Sequence, residues 1–71
     1  LQNQVKAFRL ARQLAQKEVA AAVGITRQTL RLIEHFDYNP SLKLCLRICY
    51  VLGTTLDETF WVDEDQWEAE N

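Results

Sequence analysis

The chain is predicted to be all-α, and three observations carry that prediction. Apolar residues recur three and four apart through most of its length, the pattern of helices that bury one stripe. Alternating strand patterns are scarce. Nothing breaks the chain apart from Gly24, Gly53 and Pro40. With 71 residues, of which 48% are hydrophobic, it makes one small domain. A domain of that size is near the lower limit for folding on its own core and often borrows stability from a partner subunit.

Five helices follow in order. Leu1-Gln2 reads as a short extended lead-in, and Asn3 as the N-cap of a helix over Gln4–Gln13 with Val5, Phe8 and Arg12 along one face. Leu14-Ala15 connects to a second helix, Gln16–Val23. Its cap, Ala15, forgoes about 1 kcal/mol relative to serine or threonine. Glu18 near the helix start recovers part of this through the helix dipole. Gly24 ends the helix in a left-handed conformation free of side-chain clash, and Ile25 plugs the turn.

Thr26 is an N-cap for the third helix, predicted from Arg27 to about Phe36. Asp37–Pro40 forms a loop, because Pro40 pushes Asn39 out of helical geometry. Ser41 caps a fourth helix, Leu42–Leu52, closed by Gly53. Thr54 or Thr55 caps a last short helix through about Phe60, Trp61-Val62 is extended, and Asp63–Asn71 is expected to fray. Residues 1–62 thus form the domain and residues 63–71 an acidic tail.

On the fourth helix Leu42, Cys45, Ile48, Cys49 and Leu52 fall on one buried stripe, yet Leu44, Leu46, Tyr50 and Val51 are apolar too. A small domain has one core to fill. The surplus face, Leu46, Tyr50 and Val51, with Phe60 and Trp61 and with Trp67 nearby, is expected to form a homodimer interface.

The net charge of −2 hides a division. Residues 1–56 hold all eight bases and three acids, a net +5, while residues 57–71 hold seven acids and no base. A basic body with an acidic tail is compatible with a DNA-binding face. The two cysteines lie four apart on a helix, a geometry that does not favour a bridge. With no signal-peptide pattern they are expected as reduced thiols in a cytoplasm. No apolar run approaches the ~20 residues of a membrane span, and the length leaves no room for a small-molecule ligand domain.

The segment Gln16–His35, QKEVAAAVGITRQTLRLIEH, reads as two short helices crossing at a tight turn, a helix-turn-helix whose second helix projects outward. Such a helix reads base edges in the major groove with residues of its first turns. Arg27 can donate twice to guanine and Gln28 can bond adenine in bidentate fashion, while Thr29 reaches a phosphate or a thymine methyl. Arg31, one turn on, stays on the outward face, and Leu30 and Ile33 fall on the core side. Gln16 and Lys17 open the preceding helix, where backbone N–H groups favour a phosphate. Tyr38, Asn39 and Ser41 are candidates to hold the DNA backbone on the other flank, contacts that position without specifying sequence.

Enzyme chemistry finds little footing. The chain has one histidine, no glycine-rich phosphate loop and no serine–histidine arrangement. His35 with Cys45 and Cys49 gives three ligands where a structural zinc site wants four, so no metal and no cofactor is expected. A thiol redox switch at the two cysteines would need an exposed thiol of low pKa, which a core stripe does not provide.

Together the stretches VKAFRLAR, AQKEVAAAVGITRQTLRLIE and YNPSLKLCLRICYVLGTTLDETF resemble the phage-repressor/Cro-like, or XRE, helix-turn-helix regulators, over residues 3–61. The resemblance implies a five-helix lambda-repressor-like domain with the helix-turn-helix at helices 2 and 3, and short terminal strands for which Leu1-Gln2 and Trp61-Val62 are candidates. It implies that Arg9 pairs with Glu34, that Gln16 clamps a phosphate, that Arg27, Gln28, Thr29 and Arg31 form the recognition surface with Thr26 at its head, and that Asn39 meets the DNA backbone. It also implies a two-fold dimer. The chain departs from the pattern at Ala15, Leu32, Cys45 and Cys49, and at His35-Phe36-Asp37, where relatives commonly carry a polar residue, glycine and a base. The resulting expectation is a cytoplasmic bacterial DNA-binding transcriptional regulator, a repressor acting as a homodimer on an inverted-repeat operator. Two alternatives stand beside it: a protein-interaction or antitoxin-like module with weakened DNA binding, and a thiol redox-sensing regulator.

Overall fold

A computed structural model describes residues 1–63. The elements run β1 (Gln2–Asn3), α1 (Val5–Ala11), α2 (Gln16–Val23), α3 (Arg27–Glu34), α4 (Leu42–Leu52), α5 (Leu56–Thr59) and β2 (Phe60–Trp61). Apart from Asp63, the expected acidic tail lies outside the described residues, as does Trp67.

One core joins α1 to α4 and β2, with Leu56 of α5 packed against it. Val19, Ala20 and Val23 of α2 meet Leu30 and Ile33 of α3, Cys45, Ile48, Cys49 and Leu52 of α4, Val5 of α1 and Phe60 of β2. Leu30, Ile33, Ile48 and Leu52 are fully enclosed, each contributing about 1.5–3 kcal/mol of burial. Ala20 is small enough to let α2 lie against both α3 and α4, and Ile25 packs half-buried beneath the turn.

Two expectations about the apolar residues are corrected. Phe60, assigned to a dimer interface, is 7% exposed and belongs to the core. It ends up there because α5 stops at Thr59 and the extended backbone at Phe60 (φ −129°, ψ 140°) turns its ring inward. Leu42, assigned to the buried stripe, is 64% exposed: it opens α4, a turn before the stripe reaches the core at Cys45.

The strands differ from the expected segments by one residue. Gln2 pairs with Trp61 and Asn3 with Phe60, antiparallel. Asn3 fixes this register, since its Nδ2 donates to the Ile33 carbonyl (2.8 Å) and its Oδ1 accepts from the Val5 N–H (3.0 Å). Asn3 therefore serves the first turn of α1 from inside the strand, while Gln4 holds the cap position without a side-chain cap bond. Gln4 N–H donates to the Thr59 carbonyl (2.9 Å), tying the two chain ends of the domain together.

α1 and α3 both end two residues earlier than the sequence suggested, and for the same reason. After α3 the chain passes His35 and enters the left-handed region at Phe36 (φ 65°). There Phe36 N–H donates to the Ile33 carbonyl (3.1 Å) and Asp37 N–H to the Leu32 carbonyl (2.9 Å). This paired closure satisfies the last carbonyls of a helix and requires positive φ at the residue after the cap. Gln13 (φ 57°) does the same after α1, with Leu14 N–H donating to the Arg9 carbonyl (3.1 Å). After α2 the residue in that position is Gly24 (φ 81°), as expected.

Candidate nucleic-acid interface

The helix-turn-helix is α2, the Gly24–Thr26 turn and α3. Ala15 precedes α2 in extended geometry and offers no side-chain cap, although Glu18 Oε1 accepts from the Ala15 N–H (3.0 Å). The Glu18 N–H is taken by the Ala15 carbonyl (3.1 Å), while the N–H groups of Gln16 and Lys17, with no side-chain cap, are open to an anion. Beside them Lys6, Gln16, Lys17 and Arg27 border a shallow depression of about 540 Å³. Lys6 had not been singled out from the sequence. Its signal is its position three residues before Arg9 on α1, which places it next to the start of α2.

At the head of α3, Thr26 Oγ1 accepts from the Thr29 N–H (3.1 Å), and the two hydroxyls lie 2.9 Å apart. Thr26 is thus committed to capping, and Thr29 is half-buried against it. Arg27, Gln28 and Arg31 are exposed and together line a second depression of about 290 Å³. Arg27 borders both depressions, so the phosphate-type surface of α2 and the outward face of α3 are continuous. Leu30 and Ile33 point the other way into the core.

A buried ion pair holds this unit on α1. Arg9 Nε donates to Glu34 Oε2 (2.7 Å) and Arg9 Nη2 to Glu34 Oε1 (3.2 Å), with the two side chains 8% and 1% exposed. Arg9 Nη1 also donates to the Leu14 carbonyl (2.9 Å), which fixes the connection into α2. A two-pronged pair of this kind is strong because both charges find directed partners inside the protein. Gln16, half-buried, adds to it: its Nε2 donates to Glu34 Oε1 (3.0 Å), and its Oε1 accepts from Arg27 Nε (3.4 Å).

Tyr38, Asn39 and Ser41 lie exposed in the segment between α3 and α4 and border neither depression. Ser41 Oγ accepts from the Leu44 N–H (3.2 Å), which makes it the cap of α4. Away from the α3 face, Leu42, Leu46, Tyr50 and Val51 of α4 face Ala21 and Ala22 of α2 across an open apolar groove of about 820 Å³. Tyr50 is 88% exposed, Leu46 is exposed and Val51 half-buried; Trp61, in β2, is partly exposed.

Cys45 and Cys49 are free and buried. Burial pushes the Cys45 thiol up, with the neighbouring Cys49 adding to the effect and a backbone hydrogen bond opposing it. That is the reverse of the low-pKa, accessible thiol of a redox sensor. Among the described residues no three of His, Cys, Asp and Glu are grouped to hold a metal ion, and no helix is long and apolar enough to cross a membrane.

The family described as Helix-turn-helix matches residues 5–59. The chain is 38% identical over 65 residues to YgzD of Bacillus subtilis, named an HTH-type transcriptional regulator, covering 92% of this chain and 98% of that one. An HTH-type transcriptional regulator of Archaeoglobus fulgidus is 36% identical over 69 residues, covering 96% and 97%. In structure the chain is similar to the clp gene regulator ClgR from Corynebacterium glutamicum, with a TM-score of 0.73 and 23% identity over 75% of this chain. It spans 56% of ClgR. The hypothetical transcription factor NHTF from Neisseria matches with a TM-score of 0.76 and 18% identity, over 96% of this chain and 76% of NHTF. The two solved structures share the fold.

Proposed function

The chain belongs to the helix-turn-helix family of transcriptional regulators, a DNA-binding class and not an enzyme class, and we propose that it is a repressor that binds an inverted-repeat operator as a homodimer. The observation that carries the DNA-reading part is the shared position of Arg27: one side chain joins the exposed Arg27–Gln28–Arg31 surface of α3 to the basic depression at the start of α2. Arg27 and Gln28 read base edges in the major groove. Lys6, Lys17 and the open N–H groups of α2 hold a phosphate beside them. Asp37, an exposed acid shortly after α3, lowers phosphate attraction at that edge.

The apolar groove between α2 and α4 supports dimerisation. Leu46, Tyr50 and Val51 expose more apolar surface than a lone small domain needs, and a second copy is the simplest cover for it. A two-fold dimer places its recognition helices one DNA turn, ~34 Å, apart. A dimer seated on such a repeat represses by occluding a promoter.

Selection of bound duplexes from a random pool tests both parts. The expected result is an inverted repeat with half-sites about ten base pairs apart. Enrichment of a single half-site by a protein that sediments as a monomer would refute the homodimer. Failure to enrich any sequence, with no duplex bound at low salt, would replace DNA reading by a protein-interaction role.

A further inference from the structure

We infer that the part of the second copy that fills the groove between α2 and α4 is its acidic tail, residues 64–71, with Trp67 in the apolar part of the groove and the tail carboxylates on Lys43 and Arg47. The inference rests on the reading of the chain as a homodimer and names the segment that its two copies exchange.

The groove is apolar along its floor but not neutral at its edge. Among the described residues the charged ones that line it are Lys43 and Arg47, one turn apart on α4 and both exposed. Neither is paired with an acid among those residues. A two-fold contact is made by the same patch of both copies. Groove laid directly on groove would therefore gather Lys43 and Arg47 of both copies around the apolar centre, with no acid from the lining to offset them. Like charges set against each other across an interface oppose association. A second copy covers this groove well only if it brings carboxylates with its apolar surface.

The tail has that composition. Residues 64–71 read EDQWEAEN: one large aromatic, Trp67, with Glu64 and Asp65 before it, Glu68 and Glu70 after it, and no base. An aromatic with acids on both sides is complementary to the strip of Leu46, Tyr50 and Val51 edged by two bases. An indole laid on Tyr50, 88% exposed without a cover, is the kind of buried anchor that carries binding energy. Length suits the exchange as well. Residues 64–71 span at most about 26–29 Å when extended, against a body of 37 × 21 × 19 Å. From Leu42 to Tyr50 the groove runs only ~12 Å along α4. The tail sets out from β2, which is tied through Asn3 to the end of α3, where the chain turns toward the head of α4. A tail lying in its own groove would hold the second copy off the surface it covers, so the exchange is between copies.

The test uses the full chain as wild type, as a tail variant and as a groove variant, with thermal melting to confirm that each folds. The tail variant carries Trp67→Ser with Glu64→Gln, Asp65→Asn, Glu68→Gln and Glu70→Gln; the groove variant carries Lys43→Gln with Arg47→Gln. Dimer dissociation is measured by sedimentation, and mixed dimers by native mass spectrometry. The expected result is that each variant dissociates about tenfold more readily than wild type. Mixing the two should give a mixed dimer tighter than either parent, because the intact tail of one copy finds the intact groove of the other. If the tail variant dimerises as tightly as wild type or more tightly, the homodimer stands and the inference fails. A groove variant that dimerises more tightly would show the two grooves meeting directly, and a mixed dimer no tighter than its parents would show each tail seated in its own groove; either result overturns the exchange. Wild type that stays monomeric at every concentration would remove the homodimer itself, and the inference with it.

Discussion

The helix ends provide a quantitative test of how the recognition helix is held. Phe36 closes α3 at φ 65°, the same backbone role that Gly24 plays after α2 at φ 81°. A residue with a Cβ is about 1–2 kcal/mol less stable in that region, and glycine gives back roughly 0.5–1 kcal/mol through its looser unfolded state. Replacing Phe36 by alanine removes the half-exposed ring and retains the strained backbone; replacing it by glycine removes both. The difference between the two variants isolates the backbone, and glycine should be the more stable by about 0.5–1 kcal/mol. For a domain of this size that is a melting difference of about 2–8 °C. Gly24→Ala should move the other way by a similar amount: no atom lies within 4 Å of a Cβ built there, so only the backbone conformation opposes the change. Thermal and urea unfolding followed by circular dichroism read all three. Equal melting of the alanine and glycine variants at position 36 would show that α3 does not end in a left-handed residue.

Three further outcomes follow from the site and the core. Glu34→Ala leaves the buried Arg9 guanidinium without its counter-charge and should cost about 3–5 kcal/mol in urea unfolding, a large part of what a domain this small has. Asp37→Lys replaces an acid by a base just after the recognition helix. It should tighten binding to random duplex and steepen the dependence of log affinity on log salt by about one unit, measured by fluorescence anisotropy. The raised pKa of Cys45 keeps it as the thiol at pH 8, so alkylation of the folded protein should be far slower than in urea and should speed up as pH rises. Rapid labelling at pH 7, with a change in DNA affinity on oxidation, would revive a redox role.

The helices were legible in the sequence because their signals are local. Thr26 and Ser41 cap α3 and α4 through their hydroxyls, and Gly24 turns left-handed, all as their residue types demand. Leu30 and Ile33 were assigned to the core by spacing alone and are fully buried. The Arg9–Glu34 pair, 25 residues apart in sequence, was implied by the family resemblance, and no spacing rule would have found it. What escaped depends on tertiary context. Gln13 and Phe36 adopt glycine-like backbone angles that their side chains disfavour, so α1 and α3 were drawn too long. Phe60 was placed on the surface because the turn from α5 into β2 is set by pairing with Asn3 across the whole chain. Lys6 was passed over because its partner surface, the start of α2, is assembled only when α1 docks. The Gln16–Arg27 contact was hidden for the same reason, since it needs Glu34 to orient the amide between them.

The most direct measurement is equilibrium binding of the full chain to its selected duplex and to a scrambled duplex of the same length, each at two salt concentrations. The selected duplex should bind at least ~10³ more tightly than the scrambled one at physiological salt. Both affinities should fall as salt rises, because Lys6, Lys17 and the arginines of α3 displace counterions from phosphate. Equal, weak binding of the two duplexes, or none at low salt, would contradict a base-reading α3.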